Sequence, residues 1–338
     1  MPEPDRQPTG ERGLWEVMEP PPPPSHPVAD PARAHRSAAA ARPLRLATWN
    51  VNSLRARLDR VTSWLARTDV DVLAIQETKL TDEKFPTSAF TDLGYQVAHV
   101  GFSQWNGVAV ASRIGLEDVR AGFPEVPGWG QPPIAEARAL SALCAGVEVW
   151  SVYVPNGRAV GDPHFDYKLS WLDALRGYGA ASMGADPDAQ IVFCGDFNIA
   201  PTDDDVWSVE YYANLTHTTP EERAAFGGLV DAGYTDVVRP YTPGPGVYTY
   251  WDYTQLRFQR RQGMRIDFAL ASPALAARVT GASIDREERK GKGASDHAPV
   301  LVEIAEIGEA GQAAEVGEAG ELDETGEVSE VGGAGELL

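Results

Sequence analysis

Short strand-like segments, most of them ending in polar residues, constrain the fold of this chain more than any other feature. They are rich in Val, Ile and aromatic residues and are bounded by polar residues, Gly or Pro, which is typical of strands. They lie at 44–49, 70–76, 107–112, 147–154, 190–194, 266–271 and 300–304, with helical periodicity at about 54–67, 167–178 and 220–232. Many strands with fewer helices predict a layered α/β sandwich, in which two sheets pack together and helices cover the outside.

Composition divides the chain into three parts. Residues 1–42 are rich in Pro, Ala and Arg, so we expect a disordered extension there. Residues 306–338 contain ten acidic and no basic residues, with repeated Gly-Glu-Ala-Gly units, which predicts a disordered acidic tail. No linker-like stretch interrupts 43–305, and we predict a single domain for this region.

The composition also limits the classes of protein. No apolar run approaches the roughly 20 residues of a membrane span, and the N-terminus lacks a charged-then-apolar signal pattern. Cys144 and Cys194 lie in apolar stretches, and we interpret them as buried thiols of a cytoplasmic protein. The net charge of −20 argues against a protein that coats DNA non-specifically. It does not exclude an enzyme, since a hydrolase that gathers metal-binding carboxylates can be acidic overall and still have a basic face.

Polar side chains stand at or beside the ends of six strand-like segments. They are Asn50 and Asn52, Glu77, Tyr153 and Asn156, Asp196 and Asn198, Asp267, and Asp296 with His297. If the strands are neighbours, these groups converge on one rim of the sandwich, where loops on a rigid scaffold commonly carry function. Singly, each has a structural interpretation, such as helix capping by Asn50 or Asn52, or an Asx turn at 195–198. Their joint placement favours a functional site.

The types of side chain in this set point to metal-assisted hydrolysis. Carboxylate and amide oxygens suit Mg²⁺ or Mn²⁺, whereas no Cys/His cluster has zinc spacing. The sequence contains neither a Gly-x-Ser-x-Gly elbow nor a P-loop. One imidazole, several carboxylates, amides and a phenol fit the attack of water on a phosphodiester. In such a reaction a metal neutralises charge on the phosphate oxygens, and side chains bind those oxygens and handle protons.

The motifs resemble, in their order, those of the exonuclease III family of apurinic/apyrimidinic (AP) endonucleases. The matching segments are TWNVNSLRA at 48–56, QETK at 76–79, YVPNG at 153–157, GDFNIAP at 195–201, MRID at 264–267 and SDHAP at 295–299. The resemblance covers about 44–304 and makes 43–305 the catalytic domain. It implies the four-layered, DNase I-like α/β sandwich of the endonuclease/exonuclease/phosphatase superfamily. Trp105, where a tyrosine is more usual, and the two terminal segments depart from the pattern.

The resemblance implies a role for each matching residue. The expected metal ligands are Glu77 above all, then Asn50, Asp196, Asn198, Asp296 and His297. The expected catalytic residues are Tyr153, Asp196, Asn198, Asp267 and His297. Asp196 would orient or deprotonate water, and His297, paired with Asp267, would stabilise the transition state. The expected cofactor is Mg²⁺, with Mn²⁺ as a substitute, and both the number of metals and the identity of the base stay open.

The resemblance also implies a DNA-binding face. Its candidate residues are Asn52, Arg55, Asn156, Arg158, Lys168, Tyr250, Trp251, Arg265 and Ile266. Tyr250, Trp251 and Ile266 would form a small apolar pocket that accepts a flipped-out abasic sugar and excludes an intact nucleotide. Alternatively, Trp251 is an aromatic residue of the hydrophobic core. The cations would bind backbone phosphates, so that recognition depends on shape and not on base sequence.

The function expected from these residues is Mg²⁺-dependent hydrolysis of double-stranded DNA in base excision repair. The enzyme would cut 5′ to abasic sites, or remove nucleotides and blocking groups from 3′ ends. We expect a monomer that does not bind membranes. One alternative is a phosphatase of the same superfamily that acts on nucleotides or phospholipids, against which the aromatic segment 250–253 argues. Another is a DNA-binding protein with an inactive site, against which the complete catalytic set argues.

Overall fold

A computed structural model of the protein describes residues 42–305. The disorder expected for 1–42 and 306–338 therefore concerns residues outside the described range, with the exception of Arg42. The Arg42 guanidinium donates two hydrogen bonds to the Asp71 carboxylate, at 3.0 and 2.7 Å. The folded domain thus includes at least one residue that composition had placed in the extension.

Twelve strands and six α-helices make up the described part of the chain. The strands are β1 Leu44–Asn50, β2 Val72–Gln76, β3 Gln96–Val100, β4 Val108–Ser112, β5 Glu117–Ala121, β6 Ala139–Cys144, β7 Val147–Tyr153, β8 Ile191–Asp196, β9 Thr235–Asp236, β10 Asp267–Ala271, β11 Val279–Ile284 and β12 Val300–Ile304. The helices are α1 Leu54–Thr68, α2 Thr87–Thr91, α3 Pro163–Ala185, α4 Val209–Tyr212, α5 Pro220–Asp231 and α6 Pro273–Ala276. None of the described helices is long and apolar enough to cross a membrane.

The strands form two mixed sheets of six. Their orders are β11-β12-β1-β2-β4-β3 and β5-β6-β7-β8-β10-β9. Each sheet contains one parallel pair, β1 with β2 and β7 with β8, among antiparallel pairings. The predicted four-layered α/β sandwich is confirmed, since helices pack on the outer face of each sheet.

Three apolar clusters hold the four layers together. Along β8, Val192 and Cys194 point into the layer between the sheets, while Phe193 points outward to the helix α3 side. The alternation follows from the two-residue period of a strand. On β1, Leu46 points into the layer between the sheets, whereas Trp49 packs against α1 on the outer face. Central strands are therefore buried on both faces, which explains their nearly continuous apolar sequences.

The pairing of the central strands places their polar ends on one rim. Asn50 pairs in register with Gln76, which directly precedes Glu77, and Tyr153 pairs with Asp196. Asp196 lies opposite Asp267 at the start of β10. Gly195 permits this approach, because a Cβ at that position would lie 1.9 Å from the carbonyl oxygen of Val152. The topology thus delivers the predicted site residues to a common edge.

A buried ion pair between α3 and α5 supports the loops of this rim. Lys168 and Glu222 form a salt bridge with both side chains fully buried. The Lys168 ammonium also donates to the carbonyl oxygen of Asn198 at 2.6 Å and to that of Asn156 at 3.3 Å. The prediction that Lys168 binds DNA phosphates is therefore wrong, because its charge is enclosed by protein groups that use its hydrogen-bond donors.

We expect Lys168→Met to lower the free energy of unfolding by about 3–5 kcal/mol, because the Glu222 carboxylate would remain buried without its partner. Urea denaturation measures the change. Removing the exposed Arg176–Asp173 pair by Arg176→Ala serves as the control and should cost less than about 1 kcal/mol. A Lys168→Met variant no less stable than the Arg176→Ala variant would contradict this role.

Candidate active site

Asn50, at the end of β1, joins the two sheets at the rim. Its side-chain amide donates to Glu77 Oε1 at 2.9 Å and to Asp196 Oδ2 at 2.9 Å. Glu77 follows β2 in the first sheet, and Asp196 ends β8 in the second. Asn50 is fully buried, so one amide holds two carboxylates at a fixed separation in a region with little water.

The site contains donors that fit a divalent cation. Glu77, Asp196 and His297 each offer one ligand atom, and these atoms lie within 4.8 Å of one another, the one such group in residues 42–305. Two carboxylates of this kind suit hard cations that prefer oxygen ligands. Burial opposes the charge of Glu77, but the Lys79 ammonium and the Asn50 amide lower the pKa of Glu77, so its carboxylate stays ionised.

The other three predicted ligands are not members of this group: Asn50, which bridges Glu77 and Asp196 as described above, and also Asp296 and Asn198. Asp296 Oδ1 accepts hydrogen bonds from the Asn52 amide at 3.1 Å and from the Ser295 hydroxyl at 3.3 Å. Asn198 donates its amide to the carbonyl oxygen of Val154 at 3.0 Å. Both residues therefore orient neighbouring groups in this structure, and their roles as ligands stay predictions.

His297 lies between two carboxylates. Its Nδ1 is 2.9 Å from Asp267 Oδ2, and its Nε2 is 3.7 Å from Asp196 Oδ2. Burial lowers the pKa of His297, but Asp267 and Asp196 outweigh this effect and raise the pKa to about 10. Burial has the opposite effect on Asp196: it raises the pKa to about 7, although the positive charge of His297 acts to lower it. The arrangement keeps a proton on the imidazole and leaves Asp196 close to its titration point at neutral pH.

Tyr153 completes the predicted catalytic set. Burial, followed by the neighbouring Glu77 carboxylate, raises the pKa of Tyr153, so the phenol keeps its proton and can donate a hydrogen bond. The Arg138 guanidinium stacks on the Tyr153 ring, with 4.8 Å from its central carbon to the ring centroid. Arg138 thereby helps to fix the orientation of the ring.

His217 belongs to the site although the sequence analysis missed it. Its Nε2 lies 3.1 Å from Asn198 Oδ1 and 3.2 Å from the Asn156 amide. Removal from water and then the Lys168 ammonium lower the pKa of His217 to about 4, so the ring is neutral. His217 lies in a loop, remote from any strand end, and its backbone φ is 87°. No pattern in the sequence distinguishes it.

Two residues predicted for an abasic-sugar pocket lie in the core. Trp251 is 1 % exposed and packs against Tyr248 and Phe258, and Ile266 is 2 % exposed. Trp251 therefore has the core packing of its alternative interpretation, and a place for either residue in an abasic-sugar pocket stays a prediction. Tyr250 does reach the site, because its ring centroid lies 4.9 Å from that of His297.

The predicted cationic contacts to DNA divide by burial. Arg265 is buried and paired with Asp205 at 2.6 Å and with Asp236 at 2.5 Å, so its assignment to DNA phosphates is wrong. Arg55 and Arg158 are exposed, and neither has a carboxylate partner within 4.0 Å in the described part of the chain. They remain candidates for phosphate binding, together with the polar side chains of Asn52 and Asn156.

Comparison with known proteins places this geometry in a family. The sequence profile of the endonuclease/exonuclease/phosphatase family matches residues 47–297. An exodeoxyribonuclease III of Haemophilus influenzae is 30% identical over 268 residues, which cover 77% of this chain and 99% of that protein.

Solved structures agree with the sequence comparison. A 3′ phosphatase from Neisseria, bound to product DNA hairpin, has a TM-score of 0.73 and 38% identity, covering 78% of this chain and 100% of that one. An AP endonuclease from Archaeoglobus fulgidus has a TM-score of 0.72 and 36% identity, covering 77% of this chain and 99% of that one. Since the matched regions contain the whole site described above, the chain belongs to the endonuclease/exonuclease/phosphatase family and, within it, to the exodeoxyribonuclease III group of DNA repair nucleases.

Proposed function

We propose that the protein is a Mg²⁺-dependent DNA phosphodiesterase of base excision repair. It cuts 5′ to abasic sites and removes nucleotides or blocking groups from the 3′ ends of duplex DNA. The observation that carries the proposal is the meeting of Glu77, Asp196 and His297 at the rim, held by Asn50 and Asp267. Relatives named as an exodeoxyribonuclease, an AP endonuclease and a DNA-bound 3′ phosphatase support this substrate.

Glu77 and Asp196 are the residues that would hold the cation. When bound, it supplies positive charge that neutralises the phosphate oxygens during displacement. Asn50 fixes the two carboxylates relative to each other, since its amide donates to both. Mn²⁺ would substitute, because its preference for oxygen ligands is similar.

Three side chains transfer protons or stabilise charge on the phosphate: His297, Asp196 and Tyr153. The protonated His297 imidazole donates from Nε2 to a non-bridging phosphate oxygen, while Asp267 fixes the ring through Nδ1. Asp196 would also accept a proton from the attacking water, whose oxygen bonds to phosphorus while the bond from phosphorus to the leaving 3′ oxygen breaks. Asn198 orients Asp196, whose Oδ1 accepts from the Asn198 backbone amide at 2.9 Å. The Tyr153 phenol donates a further hydrogen bond to the phosphate.

The substrate lies across the loops that flank this rim. A cleft of about 310 Å³ opens beside Asn156, Arg158, His217 and Tyr250. Its polar and aromatic lining suits a nucleotide whose phosphate reaches His297. Exposed Arg55 and Arg158 bind neighbouring phosphates, which makes binding depend on backbone shape.

Cys144 and Cys194 are free buried thiols, in keeping with the reducing cytoplasm that we propose as the location.

A 5′-labelled duplex with one tetrahydrofuran abasic analogue tests the reaction. With Mg²⁺ we expect a single nick 5′ to the analogue, abolished by EDTA and reduced at least about 100-fold by Glu77→Ala and by His297→Ala. The exposed-residue variant Asp173→Ala should keep wild-type activity. Degradation of 3′ ends without the nick would restrict the function to an exonuclease. Absence of both activities would overturn the DNA substrate, and nucleotide and phospholipid phosphoesters would then be assayed.

Asp267→Asn tests the orientation of His297. The asparagine has nearly the same shape but no charge, so we expect kcat to fall by about 100-fold or more while KM changes little. Steady-state kinetics on the same duplex separate the two constants. A matched change, Asp236→Asn, removes a carboxylate that pairs with Arg265 and not with His297. A large rise in KM with an unchanged kcat in Asp267→Asn would contradict the role in the transition state.

Arg158→Ala tests the DNA-binding face. We expect weaker binding of all duplexes and a dependence of log K on log salt that is shallower by about one unit, because one phosphate contact is lost. Fluorescence anisotropy across a salt series, with Ca²⁺ in place of Mg²⁺, measures both quantities. Arg176→Ala, an exposed arginine paired within α3, is the control. Identical salt dependence in wild type and Arg158→Ala would remove Arg158 from the face.

A further inference from the structure

A second cleft, of about 490 Å³, opens next to the catalytic site, and apart from Arg138 and Arg158 its lining has no role in the reaction described above. We call it the aromatic cleft and define it by Phe102, Trp105, Trp129, Ile134, Arg138 and Arg158, which all line it. Its walls come from the loop before β4 and from the segment between β5 and β6. Two hydrogen bonds join these walls, from the Asn106 amide to Glu136 Oε1 at 2.9 Å and from Gly107 N to Ala137 O at 2.9 Å.

Three large apolar side chains project into solvent around this cleft. Phe102 is 62 % exposed, Trp105 is 66 % exposed and Ile134 is 65 % exposed. Single exposed apolar residues are normal, but several around one concavity with a polar rim mark an interaction site. The backbone that presents Ile134 is well defined, since Trp129 and Ile134 exchange two hydrogen bonds, at 2.9 and 3.0 Å. The cleft is therefore built into the fold.

The aromatic cleft borders the catalytic site. Arg138 stacks on the Tyr153 ring and donates to the Tyr153 carbonyl oxygen at 3.3 Å, so one side chain separates the cleft from the proposed phosphate site. Arg158 lies over the Trp129 ring at 5.2 Å, on the border between the aromatic cleft and the cleft beside His217. A group attached to the strand being cut could therefore enter the cleft while the scissile phosphate stays in the active site.

The lining favours a nucleobase as that group. Arg138 is neutralised by Glu136 at 2.7 Å, so the interior carries little net charge, while Arg158 at the border has no carboxylate partner within residues 42–305. Flat aromatic side chains stack on any base, and a free guanidinium binds the adjoining phosphate. Resting on the proposed function, we propose that the aromatic cleft binds an unpaired base next to the scissile phosphate and favours mismatched or frayed 3′ ends over paired ones.

The test compares two labelled duplexes that differ only in whether the 3′-terminal base is paired or mismatched. In Trp105→Ala and Phe102→Ala, we expect kcat/KM for the mismatched end to fall on the order of tenfold, with the paired end changing less than about twofold. Trp105→Phe keeps a flat ring and should retain the preference. Val119→Ala, at an exposed position on β5, is the matched control and should behave as wild type. An unchanged ratio of mismatched to paired cleavage in both alanine variants would overturn the proposal.

A binding measurement separates this proposal from the proposed function. With 2-aminopurine as the unpaired 3′-terminal base and EDTA present, stacking in the cleft should quench its fluorescence. The quenching should be lost in Trp105→Ala and kept in Val119→Ala. If the wild type cleaves neither duplex but quenches the unpaired base through Trp105, the catalytic proposal fails and the base-binding site stands. Equal quenching by wild type and Trp105→Ala refutes the base-binding site, whatever the protein cleaves.

Discussion

The apolar layer between the two sheets is the constraint on which the site depends. It packs residues such as Leu46 and Val72 from one sheet against Val149 and Val192 from the other. Because interiors are close-packed, the two sheets cannot slide without opening voids. Their central strands therefore end at fixed relative positions, and Asn50 can bridge Glu77 and Asp196, which belong to different sheets.

The same packing makes a concentration of buried charge tolerable. A carboxylate removed from water is costly unless it is paired or hydrogen-bonded. At this rim His297 stands between Asp196 and Asp267, and Lys168 pairs with Glu222 beneath the loops that carry Asn156 and Asn198. The partners in these pairs lie far apart in the chain. The site is thus a product of the whole domain, and its altered pKa values follow from enclosure by that domain.

Sequence reasoning succeeded where the position along a strand decides the outcome. Glu77, Asp196, Asp267 and His297 all meet at the rim, as their places at strand ends predicted. It failed for Lys168 and Arg265, which are buried and paired with carboxylates. Their chemical types suit DNA binding, but type does not reveal which partners surround a side chain. His217 was missed because it reaches the site from an irregular loop.

The short runs rich in Val, Ile and aromatic residues and the polar residues that end them were enough to predict the layered sandwich and most of the side chains that meet at its rim. The reason is that strand composition and strand termini are local properties, readable from consecutive residues. Only the tertiary structure decided which arginines face solvent, which aromatic residues form the core and which line the two clefts. Burial depends on residues far apart in the chain, such as Lys168 and Glu222 or Asn50 and Asp196, that meet only when the two sheets pack.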